Sequence, residues 1–502
     1  MTVDPSARNR TRSVRLALPA MLSAALMLNS AGAASAATFT PLATVSGPSP
    51  YASCTVGAAP GSVNYVNAEV EPWVSVNPAN PDNIIGVWQQ DRWSDGGAHG
   101  LVAGYSTDGG KTWGQATQPF SACAPGGLSR YDRATDPWVS FGPDGTAYSV
   151  SLSLQGAGPD NAVAAATSTD GGKTWGNLRI IKEDLGTARF FNDKESVTAD
   201  PVKAGTAYAV WDRLVSPTGN PKAAPHIRAF TGPAWFSKTT DGGVTWSAAK
   251  VIVPTAQRQQ TIGNQIVVDP RTGTLYNFFD LILGTGPHGV DGLHGLNVAF
   301  VKSTDGGATW TAPKIVAKLF TVGVRDPNTG APIRTGDIIP EPAIDPATGQ
   351  LYVVWQDARF TGFAFDQVAI STSSDGGATW TAPARVNTPT GTPAFTPSVR
   401  VNASGTVGVT YYDFRNLTVG NTSTLPTDYW FTSSPAGGAA FGNETHLYGP
   451  FDMLTAPFAR GFFTGDYQGL DASGSNFVSL SVRANDGNTA NRTDVAATTI
   501  TP

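Results

Sequence analysis

Cysteine, methionine and histidine are scarce, with 2, 4 and 5 copies in 502 residues. Two cysteines cannot staple a disulfide scaffold. Charged residues are only 14% of the chain, which excludes a coiled coil or helical bundle rich in Leu, Glu and Lys. Apart from one N-terminal stretch, no apolar run approaches the roughly 20 residues of a membrane helix. The formal net charge is −5, the wrong sign for a nucleic-acid partner. Glycine (56), proline (37) and tryptophan (13), by contrast, are plentiful. Aromatics at 10% are too many for a disordered chain. The composition reads as a large, turn-rich, all-β protein with length enough for a sizeable core.

The N-terminus reads as a targeting segment. Arg8, Arg10, Arg12 and Arg15 precede the apolar run Leu16 to Leu28, and small residues follow to Ala34-Ser35-Ala36. This is the three-part pattern of a secretory signal peptide cleaved after Ala36. A short N-terminal anchor is the alternative. The expected organisation is a signal peptide over 1–36 and a single domain over 37–502, exported and monomeric, with no membrane span.

One motif recurs five times. Ser106 to Trp113 (Ser-Thr-Asp-Gly-Gly-Lys-Thr-Trp) returns as Ser168 to Trp175, Thr239 to Trp246, Ser303 to Trp310 and Ser373 to Trp380. The aspartates are Asp108, Asp170, Asp241, Asp305 and Asp375. Each can accept backbone N–H groups of its own turn. The glycine pair permits positive φ in a tight hairpin, and the Trp offers a large face to lock it.

These copies resemble Asp-boxes, or BNR repeats, and the chain resembles the sialidase-like β-propeller superfamily. In that family the box is structural, on the turn between the third and fourth strands of a blade, away from the active face. Upstream of each box lie two apolar runs, such as Pro72 to Val76 with Ile84 to Trp88 and Pro342 to Asp345 with Leu351 to Trp355. Each unit thus reads as four strands, a to d. A sixth unit carries the degenerate box Ser434 to Phe441. A seventh, Asp466 to Ile500, has three strands, its fourth supplied by Phe39 to Val45, which would remove exposed edges. The fold expected is an all-β propeller of seven four-stranded blades. Six blades, as in classical sialidases, plus an appendage is the alternative. Cys54 and Cys123 then fall on d–a connections of adjacent blades, and a Cys54–Cys123 disulfide is expected.

Starts of a strands and ends of b strands should meet at one funnel. The former carry Glu69, Glu71, Asp132, Asp136, Asp193, Glu195, Asp337, Glu341, Asp466 and Tyr467. The latter carry Arg92, Arg213, Arg359, Arg415 and Arg483, each but the last within two residues of an Asp. Repeated Asp and Arg residues also suit a plain role in stitching blades together. Residues unique to one blade carry more weight: Glu69, Glu71, Asp132, Glu195, Glu341 and Tyr467, of which Tyr467, Glu341, Glu195, Asp132 and Glu71 are the catalytic candidates. Five arginines suit an anionic ligand. His99, His226, His288 and His294 fall on predicted b–c loops, and His446 on the link before the last blade.

The resemblance implies a secreted glycoside hydrolase acting on an anionic sugar, with arginines holding the carboxylate and a Glu-activated Tyr as nucleophile. The family's Phe/Tyr-Arg-Ile-Pro motif is absent, and Pro332-Ile-Arg334 does not match it, so no role transfers by motif. Two other readings stand beside it: a hydrolase or lyase on acidic polysaccharide using a carboxylate pair, and a non-enzymatic glycan- or protein-binding propeller. No cofactor or metal is expected. A structural Ca²⁺ among the carboxylates has no loop signature behind it.

Overall fold

The computed structural model describes residues 36–216, 231–284, 295–435, 437–438 and 440–502. The signal peptide read over 1–36 falls outside them but for its last residue, as do His226, His288 and His294. Among the described residues every regular element is a strand except for two short 3₁₀ turns, Ala358–Thr361 and Met453–Thr455. No helix among them is long and apolar enough to cross a membrane.

The strands pair antiparallel in consecutive sets. The first is Asn64–Val76, Ile84–Trp93, Ala98–Ser106 and Gly114–Thr117. The second is Arg133–Phe141, Ala147–Leu154, Asn161–Ser168 and Gly176–Asp184. Phe190–Ala199, Ala207–Val215, Ala234–Thr239 and Lys250–Val253 make the third. The fourth comprises Gln259–Val268, Leu275–Leu283, Asn297–Ser303 and Lys314–Lys318. The fifth is Glu341–Ile344, Leu351–Asp357, Gln367–Ser373 and Ala384–Arg385. The sixth is Ala394–Val401, Val407–Asp413, Pro426–Ser434 and Gly442–Asp452. Gly469–Ser473, Asn476–Ala484 and Thr493–Thr501 follow. Thr38–Phe39 and Ala43–Thr44 pair with this last strand.

Each set's first strand contacts the first strand of the next, and Gly469–Ser473 contacts Asn64–Val76. Four-stranded sheets laid side by side on their first strands are the layout of propeller blades. Burial explains the register. Trp88, Trp211 and Trp355 take corresponding places on second strands and are fully buried. Trp73 and Trp138 stack across two sets with ring centroids 3.6 Å apart. Polar side chains stitch neighbouring first strands together. Ser75 Oγ accepts from Phe141 N at 3.2 Å and Ser140 Oγ from Ala199 N at 3.0 Å. Thr198 Oγ1 donates to Ile266 O at 2.7 Å, and Asp471 accepts from Val76 N at 2.8 Å.

The repeated Asp-Gly-Gly turns join third and fourth strands. Asp108 accepts from Thr112 N at 2.9 Å, Thr112 Oγ1 at 2.6 Å and Ser106 Oγ at 2.8 Å. Asp170, Asp241, Asp305 and Asp375 repeat the pattern. The second glycine has positive φ and also abuts the preceding set: a Cβ on Gly307 would lie 2.4 Å from Phe236, and one on Gly377 2.4 Å from Phe300. So each turn closes its own hairpin, and those at Gly172, Gly243, Gly307 and Gly377 wedge against the preceding sheet. Cys54 and Cys123 are disulfide-bonded, with Cα atoms 5.6 Å apart. His446 is not on a link: it lies inside the strand Gly442–Asp452, Nε2 2.7 Å from Asp428 Oδ1. His99 sits near the start of Ala98–Ser106.

Candidate active site

First strands carry a register shift at one recurring station: Val70/Trp73, Thr135/Trp138, Asp193/Ser196, Ile262/Gln265 and Phe395/Ser398. The residues in these bulges have positive φ: Glu71 (55°), Asp136 (53°), Lys194 (49°), Gly263 (72°) and Thr396 (49°). For a non-glycine residue that backbone costs about 1–3 kcal/mol, and bulges re-aim side chains. Here they aim Glu71, Asp136 and Lys194 at one point. Lys194 Nζ lies 3.2 Å from Glu71 Oε1, 3.4 Å from Asp136 Oδ1 and 3.4 Å from Asp466 Oδ2.

This cluster floors a cavity of about 490 Å³ whose lining includes Asp136, Lys194 and Asp466. Its roof comes from two connectors. Val324–Arg325 pairs with Pro332–Arg334, which pairs in parallel with Phe462–Phe463. The chain then passes Asp466 so closely that a Cβ on Gly336 (φ 61°) would lie 2.2 Å from Asp466 O. Arg334 reaches down to Asp466, Nε to Oδ1 at 3.0 Å and Nη2 to Oδ2. Arg92 and Arg334 both lie over Phe463, 5.0 and 4.3 Å from its ring centre. Arg460 joins them in the lining.

Charges here perturb one another strongly. Burial lifts the Glu71 carboxyl to about 8 against the pull of Lys194. Burial alone would lower Lys194, but Asp136, Glu71 and Asp466 hold its ammonium above the ordinary range. Burial opposes ionisation of Asp466, yet Arg334 and Lys194 hold it well below the carboxylate range. Asp337, also in the lining, is raised by burial, with Asp466 adding to the effect. Burial and then the charge of Arg334 bring Arg92 down to about 10. The charge of Arg334, then burial, lowers Arg460. Arg92 Nε and Arg334 Nη1 are buried without a hydrogen-bond partner among the described residues.

Of the five arginines expected to converge, Arg92 lines this cavity and the other four do not. Arg213 pairs with Asp184 of the neighbouring set, Arg359 with Asp357, and Arg415 with Asp413 and Glu444. Arg483 reaches Thr44 Oγ1 at 3.5 Å. Arg213, Arg359 and Arg415 go elsewhere because carboxylates of their own or adjacent sheets take them up. Glu71 touches Lys194 from behind the lining. Glu341 is buried between first strands, accepting from Ser398 Oγ at 2.6 Å and Arg400 Nη1 at 3.2 Å. Glu195 is buried, both oxygens unpartnered among the described residues. Asp132 accepts from Gly156 N at 2.6 Å. Tyr467 is buried against Trp73 and Trp138, its hydroxyl donating to Pro137 O at 3.2 Å.

Lys194, Arg334 and Arg460 were not singled out from sequence. For Lys194 a signal existed: it stands one place before Glu195, as Glu71 and Asp136 stand before Pro72 and Pro137. For the roof arginines there was none, since the connectors lie outside the repeat.

No family model and no curated protein matches this chain. Solved structures resemble it at low identity. A protein of unknown function from Dyadobacter fermentans has a TM-score of 0.45 at 15% identity, covering 88% of this chain and 100% of its own. The Hadza microbial sialidase Hz136 has a TM-score of 0.44 at 19% identity, covering 69% of this chain and 64% of its own. The α-L-arabinanase of Penicillium chrysogenum has a TM-score of 0.42 at 14% identity, covering 87% of this chain and 98% of its own.

Proposed function

We propose that this chain is an exported, sialidase-like glycoside hydrolase that takes an anionic sugar into the cavity above Lys194. In this reading it is a seven-bladed propeller, freed of residues 1–36, with N- and C-terminal strands sharing the last blade. The Cys54–Cys123 disulfide fits an oxidising compartment. The observation that carries the reading is the crowding of Arg92, Arg334 and Arg460, where Arg334 lowers both neighbours. An anion relieves such crowding, and Arg92, Arg334 and Arg460 all line the cavity that would hold it.

Asp337 and Asp466 suit the roles of proton donor and anionic stabiliser, because their surroundings push them in opposite directions. Asp337 retains a proton to give a leaving oxygen. Asp466 stays ionised to stabilise positive charge at the anomeric carbon while water adds there, the proton that water gives up restoring the one Asp337 gave the leaving oxygen.

The test is a panel of aryl glycosides that includes a sialoside and a uronide, with Arg334→Ala and Asp337→Asn alongside. Turnover of an acidic glycoside, lost in both variants, is the expected result. No turnover and no calorimetric binding of free acidic sugars would overturn the reading. A binding-only role is the second reading, favoured by Glu71, Asp136 and Asp466 all being tied to Lys194. Saturable binding without turnover would select it.

A further inference from the structure

The disulfide lies beside a third potential metal ligand. A donor nitrogen of His99 and the sulfurs of Cys54 and Cys123 all lie within 4.8 Å of one another, the imidazole buried and the cysteines partly exposed. His99 already makes the outer carboxylate contact that a metal-binding histidine makes. Its Nδ1 lies 3.2 Å from Asp91 Oδ2, and donation of that N–H leaves the Nε2 lone pair for a metal. Such carboxylate–histidine pairs are the usual outer support of zinc sites. Asp91 is itself fixed, accepting from Ser49 Oγ at 2.6 Å and Asn67 N at 2.9 Å.

We propose that the reduced chain binds one Zn²⁺ through Cys54, Cys123 and His99, so that this corner of the fold is closed either by a disulfide or by a thiolate-bound metal. A tetrahedral zinc needs about 2.3 Å to sulfur and about 2.0–2.1 Å to nitrogen, so the two sulfurs only have to part from bonding distance. The Cα separation of 5.6 Å holds both cysteines on one centre. Reduction by a phosphine delivers two electrons to the S–S bond, with two protons from water, and the phosphine leaves as its oxide. Zn²⁺ then displaces both thiol protons. The partly exposed side of the cysteines leaves the fourth position to water. The site does not line the sugar cavity, and the proposal stands apart from the hydrolase reading.

Cobalt(II) is the probe. The phosphine-reduced protein should take up one equivalent and show thiolate-to-cobalt charge-transfer and tetrahedral ligand-field bands that the oxidised protein lacks. Zn²⁺ should bleach them. Cys54→Ser/Cys123→Ser should abolish the bands, His99→Ala should lose the tetrahedral signature, and Asp91→Asn should weaken uptake about 10–100-fold. Near-UV circular dichroism is recorded throughout. Two titratable thiols in a natively folded protein without the bands would overturn the proposal, as would bands unchanged in His99→Ala. If reduction alone unfolds the chain, recovery of the native spectrum on adding cobalt supports the site, and failure to recover overturns it.

Discussion

Lys194 Nζ and Glu71 Oε1 meet at 3.2 Å although 123 residues separate them in sequence. Both stand in left-handed backbone at the same station of the repeat, two sheets apart. Asp136, from the sheet between, and Asp466 complete the contact. The ammonium therefore acts as an internal counter-ion around which several sheets converge.

Removing it should be costly. Lys194→Met leaves Glu71 and Asp136 without their ion-pair partner, Asp466 keeping only Arg334, and breaking a buried pair costs about 3–5 kcal/mol. Lys194, after Arg334, helps hold Asp466 well below its unfolded value of 3.8. That stabilisation is present above pH 3.8 and is lost as pH falls below it, and the variant gives up the share Lys194 supplies. Urea unfolding should show a large deficit at neutral pH that narrows only below pH 3.8. A deficit of constant size would show that Lys194 acts through packing alone.

Glu341 offers a cleaner titration. Burial raises its carboxyl from 4.5 to about 7, against the pull of Arg400 and the Ser398 hydroxyl. A folded value above the unfolded one favours the folded state fully below pH 4.5, and that advantage disappears as pH rises to about 7. Wild type should lose on the order of 3 kcal/mol relative to Glu341→Gln across that window, read from the two unfolding curves at several pH values. Parallel pH profiles would contradict the assignment.

How much of this was legible depends on the range of each contact. The Asp-Gly-Gly turns read clearly because Asp108 and Thr112 are four residues apart, and the glycine pair has few other uses. The Cys54–Cys123 bridge followed from counting strands. The arginines at the ends of second strands misled for the same local reason: Arg359 and Arg415 bond aspartates two residues away. The cavity itself is long-range. Arg334 finds its partner Asp466 132 residues on, through connectors that obey no repeat. Lys194 needed the register of the bulge, which alternation of apolar residues does not specify.

The repeated turns predict an acid response of opposite sign. Asp108 is brought to about 2, first by the Thr112 hydroxyl, then by Thr112 N and Ser106 Oγ. A depressed folded value stabilises above the unfolded value of 3.8 and loses that effect as pH falls to about 2. Asp108→Asn should lower the melting temperature at neutral pH, and the difference from wild type should shrink between pH 3.8 and about 2. A gap that persists at the acid end would mean the turn depends on shape and not on charge.

Tyr467 separates two mechanisms. As a nucleophile it would need a free hydroxyl in the cavity. Instead it is buried, its hydroxyl donates to Pro137 O at 3.2 Å, and burial, then the Glu71 charge, raises it well above the ordinary range. The ring also lies under the Lys194 ammonium, 4.5 Å from Nζ to the ring centre. Its place is thus in the floor's foundation. Tyr467→Phe should cost about 1 kcal/mol for one neutral hydrogen bond and leave kcat unchanged on whichever glycoside the panel identifies. Asp337→Asn should abolish turnover on the same substrate while melting no lower than wild type. A collapse of kcat in Tyr467→Phe with stability intact would return the nucleophile to Tyr467 and require the floor to open during the reaction.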